Sequence, residues 1–432
     1  MMFRLLPCVF CVFVLTVTSE LPAQQKFVAN YDEAKVPAYT LPDPLVMQDG
    51  TKVPDAKIWT ENRRGELLKI FETEVYGRVP VPAPKVTGTV REEDKQALGG
   101  TAIRRQVSLK LSSDPQIPTL ELLLYLPAKS SGPVPVFLGL NFGGNHTVHT
   151  DPAIFITSSW VRENAEAGTE KNKATEKGRG VQASRWQVEK VLAAGYGLAT
   201  VYYGDIDPDF DDGFQNGVHP LLRPAGQSKP KPDEAGSIAA WAWGLSRVLD
   251  YLETDTQVDG KKVAVIGHSR LGKTALWAGA TDPRFAIVIS NDSGCGGAAL
   301  SKRMFGETVG RINRSFPHWF CGNFHKYNEN EAELPVDQHE LIALIAPRPV
   351  YVASAAEDRW ADPKGEFLGA KMASPVYVLL GTDGLKAEEM PAINQPVMSR
   401  IGYHIRSGAH DVTAFDWECY VRFADMHFGR NK

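Results

Sequence analysis

From residue 134 onward, short apolar runs alternate with stretches patterned for helix, and this rhythm limits the architecture more than any other feature. Residues 134–140, 197–203, 263–266, 285–290 and 349–354 read as strands, and 403–405 as a last short one. Residues 186–194, 238–252 and 274–280 read as helices. A strand that is apolar throughout, rather than at every second position, must be covered on both faces. Helices on both sides of a mostly parallel sheet meet that need, so an α/β three-layer sandwich is expected. In such sheets ligands bind beyond the carboxyl ends of the strands. Upstream, 61–76 reads as a helix, and 107–111 and 120–126 as strands. Residues 24–60 are Pro-rich and read as an irregular arm on the body. Residues 151–180 are charged, Gly-rich and poor in periodicity, and read as an inserted surface loop.

The apolar run 263–266 leads into GHSRLGKT at 267–274, which fits two motifs of incompatible chemistry. As G-x-x-x-x-G-K-[ST] it is a phosphate-binding loop, with Lys273 and Thr274 in place. As G-x-S-x-G it is a nucleophile elbow whose second glycine comes one position late, since Leu271 stands where Gly is expected. The phosphate reading lacks a convincing magnesium ligand at a strand end, and the loop comes after several strands. In the elbow reading Ser269 stands on the turn, and Gly267 and Gly272 let strand and helix approach. A serine needs a base, and the base an orienting acid. In this architecture the order is Ser, then Asp or Glu, then His. The chain supplies it: Glu357-Asp358 follow the strand at 349–354, and His410 follows the last strand by a short Gly-containing turn.

The N-terminus bears on where such an enzyme works. Met1-Met2-Phe3-Arg4 is a short basic start, 5–17 is almost wholly apolar, and the stretch ends in Ala23. That is the layout of a secretory signal peptide over 1–23, and it is too short for a comfortable membrane span. A secreted or periplasmic protein is expected, with 24–432 as its catalytic domain. The formal net charge of -4 does not favour nucleic acid or a membrane surface as partner. Of five cysteines, Cys8 and Cys11 fall in the signal segment. Cys295, Cys321 and Cys419 permit at most one disulfide, and a Cys295–Cys321 bridge suits an oxidising compartment. These three form no C-x-x-C, and no H-E-x-x-H occurs, so no metal site is expected; the serine chemistry read at 267–274 needs no organic cofactor.

GHSRLGKTALWAGA, NDSGCGGAAL, SAAEDRWADP and SGAHDVTAFDW, with a VYGRVP segment nearer the N-terminus, together resemble the glucuronoyl esterases. These are carbohydrate esterases of α/β-hydrolase fold. They cleave ester bonds between the (4-O-methyl-)glucuronic acid of xylan and lignin alcohols. The late glycine is a feature of that family, and the 151–180 loop resembles an insertion of its bacterial members. The resemblance implies Ser269 as nucleophile and His410 as base. It gives Arg270 an oxyanion role through its backbone N–H and its side chain. Lys273 would contact sugar hydroxyls, and Glu307 and Trp360 would hold the uronate ring. Two places serve the acid among relatives, here Asp292 and Asp358. Asp is one methylene shorter than Glu, so we expect Asp358 as the main partner of His410 and Asp292 as a helper, with Glu357 as a neighbour of the same loop. A monomer acting on glucuronoxylan and lignin–carbohydrate esters is expected. The alternatives are another exported carbohydrate esterase such as an acetyl xylan esterase, a nucleotide-binding protein, and a non-catalytic glycan-binding relative.

Overall fold

A computed structural model describes residues 27–430; the signal segment read at 1–23 lies outside them. The strands are Thr87–Gln96 (β1), Ala102–Lys110 (β2), Leu120–Pro127 (β3), Val134–Asn141 (β4), Thr169–Glu170 (β5), Lys173–Ala174 (β6), Gly197–Tyr202 (β7), Val258–His268 (β8), Ile287–Asn291 (β9), Val350–Ala355 (β10) and Ile401–Arg406 (β11). Nine of them form one sheet in the order β1-β2-β3-β7-β4-β8-β9-β10-β11, and β5 and β6 make a separate small hairpin. Pairing is antiparallel from β1 through β3 to β7 and parallel from there to β11. The mostly parallel sheet with helices on both faces is the α/β-hydrolase architecture.

Two cores explain why these segments are strands. Val136 and Leu138 of β4, Val263 and Val265 of β8, Val288 of β9, and Val350 and Val352 of β10 belong to one buried cluster. Phe137, Ala264, Ile266, Ile287, Ile289, Tyr351 and Ala353, the residues between, belong to a second. The period-2 alternation therefore runs between two apolar layers rather than between core and water. Helix Ser237–Leu252, almost wholly buried, covers the first face with Trp241, Leu245 and Val248. Helix Ala414–Phe428 covers the second with Trp417, Tyr420 and Phe423. Each such side chain stabilises the fold by about 1.5–3 kcal/mol on burial.

One strand was not expected, and several expectations need correction. The strand β1 carries TGTVREEDKQ on an exposed edge, so it has no apolar signature to read. The helix expected at 186–194 is broken at Gln187, whose φ of 45° separates Ala183–Trp186 from Val188–Ala193. The helix expected at 274–280 starts earlier, as Arg270–Thr281. Cys295 and Cys321 form no bridge. They and Cys419 are free, buried thiols. Cys295 packs in the first core, and the Cys321 thiol lies 3.7 Å from the Thr73 carbonyl. The insertion at 151–180 is more than a solvated loop, because its base is docked on the sheet. Asp151 accepts from Arg104 at 2.5 Å and from Tyr125 at 2.8 Å. Gln106 of β2 donates to Ala153 O at 2.9 Å and accepts from Phe155 N at 2.7 Å.

Asp205, buried just past β7, holds the same segment by accepting from Ser159 Oγ at 2.6 Å. Burial pushes its carboxyl up to about 7, against the hydrogen bonds from Ser159 and Glu121 N. A carboxyl whose folded value lies above its unfolded value stabilises the fold in its protonated form. That contribution is whole below about pH 4 and is lost as pH rises through about 7. Wild-type protein should therefore lose more thermal stability between about pH 5 and pH 8 than Asp205→Asn does. Tm measured at both pH values for both proteins checks it, and equal losses would reject it.

Candidate active site

Strand β8 ends at His268, and the helix Arg270–Thr281 begins two residues on. Ser269 is the whole connection, at φ 58° and ψ −129°. A non-glycine residue there is strained by about 1–3 kcal/mol and is held by its surroundings. Gly267 shows how: a Cβ on it would lie 1.8 Å from Leu271 O, so only glycine lets the helix start this close to the strand. Ser269 N also donates to Asn291 O at 2.9 Å, which ties the turn to β9.

The other reading of this loop fails on geometry. Lys273 is buried, and its Nζ donates to Ser293 O at 2.5 Å. Thr274 Oγ1 donates back to Arg270 O at 3.0 Å. Neither group faces an open cradle, so the match to a phosphate loop is accidental.

His410 follows β11 through Ser407 and Gly408. The Arg406 guanidinium braces its loop by donating to Ala409 O at 3.0 Å and to Asp411 O at 2.5 Å. Glu357 N donates to Gly408 O at 3.1 Å, which fixes this loop against the one after β10. His410 Nδ1 lies 2.6 Å from Asp358 Oδ2. A carboxylate only accepts, so Nδ1 carries the proton and Nε2 is left as a base. Glu357 points its exposed side chain elsewhere, while Asp358 is buried. Ser269, Arg270 and His410 line one open cleft of about 280 Å³, together with Phe142, Arg162 and Gln182.

Asp292 is the second acid. It follows β9 at φ 43°, and its buried carboxyl lies 3.4 Å from Arg406. Ligating atoms of Asp292, Asp358 and His410 all lie within 4.8 Å of one another. Burial, with Glu366 and Asp358 nearby, holds the Asp292 carboxyl well above the usual carboxylate range, against the pull of Arg406. The two acids are thus placed differently: Asp358 accepts the hydrogen bond of His410 Nδ1, and Asp292 is buried beside it, next to Arg406. Since Nδ1 is already bonded to Asp358, the trio reads as an orienting network rather than a metal cage.

Arg270 is fixed by groups that sequence reasoning did not single out. Its guanidinium is paired with Asp209 and lies over Trp319, 4.8 Å from the ring centre. Asp209 also accepts from Trp319 Nε1 at 2.7 Å, His318 Nε2 at 2.9 Å and Tyr203 OH at 3.0 Å. Burial alone would raise its carboxyl, but His318, Arg270 and Trp319 hold it far below the usual range. The only signal for Asp209 was its position a few residues past the carboxyl end of β7, where ligand-binding residues of such sheets lie. His268 was also missed. Its ring centre is 4.4 Å from that of His410, and its Nδ1 is bonded to Asn291 Oδ1 at 2.6 Å.

Lys273, Glu307 and Trp360 gather beside this cleft but do not line it. Lys273 Nζ is 3.9 Å from Glu307. The Glu307 side chain keeps only 9% of its surface exposed, and burial raises its carboxyl against the Lys273 charge and the Trp360 indole. Trp360 keeps 37% of its surface exposed, so part of the indole is open to solvent.

The family model for glucuronyl esterase of fungi matches residues 230–381. A carbohydrate esterase of an unknown prokaryotic organism is 57% identical over 97% of this chain and 98% of its own length. The 4-O-methyl-glucuronoyl methylesterase 1 of Wolfiporia cocos is 30% identical over 80% of this chain and 74% of its own. The solved structure of a glucuronoyl esterase from Solibacter usitatus is 54% identical. It superposes with a TM-score of 0.87 over 92% of this chain and all of that one. With a serine elbow, a histidine–aspartate pair and such relatives over nearly its full length, the chain belongs to the glucuronoyl esterase family.

Proposed function

We infer that the protein hydrolyses esters of (4-O-methyl-)glucuronic acid carried on xylan, with lignin alcohols as the leaving groups. One observation carries this reading: Ser269, on a strained elbow, shares a cleft with Arg270 and with His410, whose Nδ1 is held 2.6 Å from Asp358. The methylesterase activity in the names of the fungal relatives supports the substrate class.

The chemistry follows from the positions. His410 Nε2 removes the Ser269 hydroxyl proton as Oγ attacks C6 of the uronate ester. The negative charge that develops on the carbonyl oxygen faces the Arg270 guanidinium and its backbone N–H. That N–H is the first of its helix and has no carbonyl of its own helix to bond. One such donor is worth about 3 kcal/mol of barrier. His410 then returns the proton to the departing alcohol, and water, activated by the same Nε2, releases the uronate and restores Ser269. Glu307 and Trp360 hold the sugar ring, one by accepting hydroxyl hydrogen bonds and the other by its flat face. Lys273 acts through Glu307, since its ammonium already serves Ser293 O. Residues 1–23 serve as an export signal, and 24–432 act as a monomeric catalytic domain with 151–180 as an insertion.

Acid release from benzyl glucuronate, with acetylated xylan in parallel, tests the reading. Ser269→Ala should abolish glucuronate release, by at least about 10³-fold, with an unchanged circular dichroism spectrum. Release of acetate alone would leave the nucleophile and overturn the substrate. Asp358→Asn should lower kcat by about 10³–10⁴-fold, because it loses the group that sets the tautomer of His410. Asp292→Asn leaves the Asp358–Nδ1 bond in place and should cost less than about tenfold. The reverse ranking would reassign the acid. Asp209→Asn should lower kcat by about 10–100-fold with KM little changed, because Arg270 loses its anchor on the transition-state side. An equal rise in KM would assign Asp209 to ground-state binding instead.

A further inference from the structure

Residues 27–36 form a thin surface segment with no buried residue in its one helical turn. Its contacts converge on the two loops that carry Glu307 and Trp360. Phe27 meets Trp360 edge to face, with ring centres 6.1 Å apart, and Arg311 covers the Phe27 ring at 5.6 Å. Asn30 O accepts from Gly306 N at 2.8 Å. Tyr31 O accepts from the Arg359 guanidinium, which lies over the Tyr31 ring at 5.2 Å and the Phe305 ring at 5.8 Å. Glu33 accepts from Arg303 at 2.7 Å and from Lys364 at 2.9 Å. Every one of these partners lies within six residues of Glu307 or Trp360.

The two loops are themselves pressed together. Glu307 N donates to Trp360 O at 3.0 Å, and a Cβ on Gly306, at φ 64°, would lie 2.4 Å from the same carbonyl. Trp360 nevertheless keeps more than a third of its surface open, so this segment packs against the indole without covering it. An exposed stretch that adds nothing to either core, yet bonds both loops repeatedly, has one evident mechanical effect: it fixes the indole and the carboxyl relative to each other.

We propose that residues 27–33 are a strap that positions Trp360 and Glu307 and thereby sets affinity for the uronate, leaving the ester chemistry at Ser269 untouched. This rests on the reading of Glu307 and Trp360 as the uronate-holding pair. Phe27, Tyr31 and Glu33 are positioning residues that act through those two side chains. Pre-ordering a binding group lowers the cost of ordering it on association, so loosening the strap acts on KM.

The test compares Phe27→Ala and the double variant Tyr31→Ala/Glu33→Gln with wild type, on benzyl glucuronate and on p-nitrophenyl acetate, whose acyl group has no sugar ring to hold. Trp360→Ala and Glu307→Gln serve as references. The strap predicts that KM for the glucuronate ester rises about two- to tenfold with kcat nearly constant. Acetate hydrolysis should be unchanged, and Phe27→Tyr should restore the wild-type KM. If the references raise KM and the strap variants do not, the strap is overturned and the uronate pair stands. If neither set raises it, the uronate assignment falls and the strap with it. A parallel loss on both esters would mean a general structural role and would also overturn the proposal.

Discussion

The contact between strand β8 and the helix that follows it is the constraint on which the rest of the site depends. Leu271 O comes so close to Gly267 that no side chain fits, and Ser269 must turn through a left-handed conformation to join the two elements. The strain of about 1–3 kcal/mol is balanced by a sheet buried on both faces, which gives the turn no room to relax. It lifts Ser269 out of the end of β8 and starts a helix immediately beyond it, with an unpaired N–H at Arg270. In the proposed mechanism, nucleophile and oxyanion donor therefore come from one backbone event.

Around that turn the charges are arranged by burial. Arg270 would wander over the cleft if its guanidinium were free. Instead it is gripped by an aspartate that four donors hold ionised, and it lies flat on Trp319. On the other side of the serine, His410 faces one aspartate that accepts its Nδ1 hydrogen bond and lies near another whose carboxyl burial raises well above the usual range. Two ionised carboxyls that close would repel, and that repulsion adds to burial in raising Asp292. In the proposed reaction both arrangements place a held group next to where charge would develop.

Much of this was legible because local pattern and global packing agree. The apolar strands 134–140, 263–266 and 349–354 appear at those places because both faces of each are buried. Ser269, Asp358 and His410 each stand just past a strand end, in chain order. The preference for Asp358 over Asp292 and Glu357 matches the geometry, with Asp358 alone bonded to Nδ1. What was misread had a physical reason in each case. The strand β1 is polar because it lies on an exposed edge, and the 151–180 insertion looks like a solvated loop because its anchors, Asp151 and Asp205, meet partners far away in sequence. Free Cys295 and Cys321 serve as small buried apolar groups, a role that spacing cannot distinguish from a bridge.

The sequence by itself determined the sheet, the elbow and the order of the candidate catalytic residues, because period-2 burial and a glycine-flanked serine are local properties of the chain. Only the tertiary structure decided which acid faces His410, what holds Arg270, and why Lys273 binds a backbone carbonyl instead of an open ligand. Those outcomes depend on distances between groups as far apart in the chain as Asp209 and Trp319, or Phe27 and Trp360. A charged or aromatic side chain takes its role from what it meets after folding, and no local pattern records that meeting.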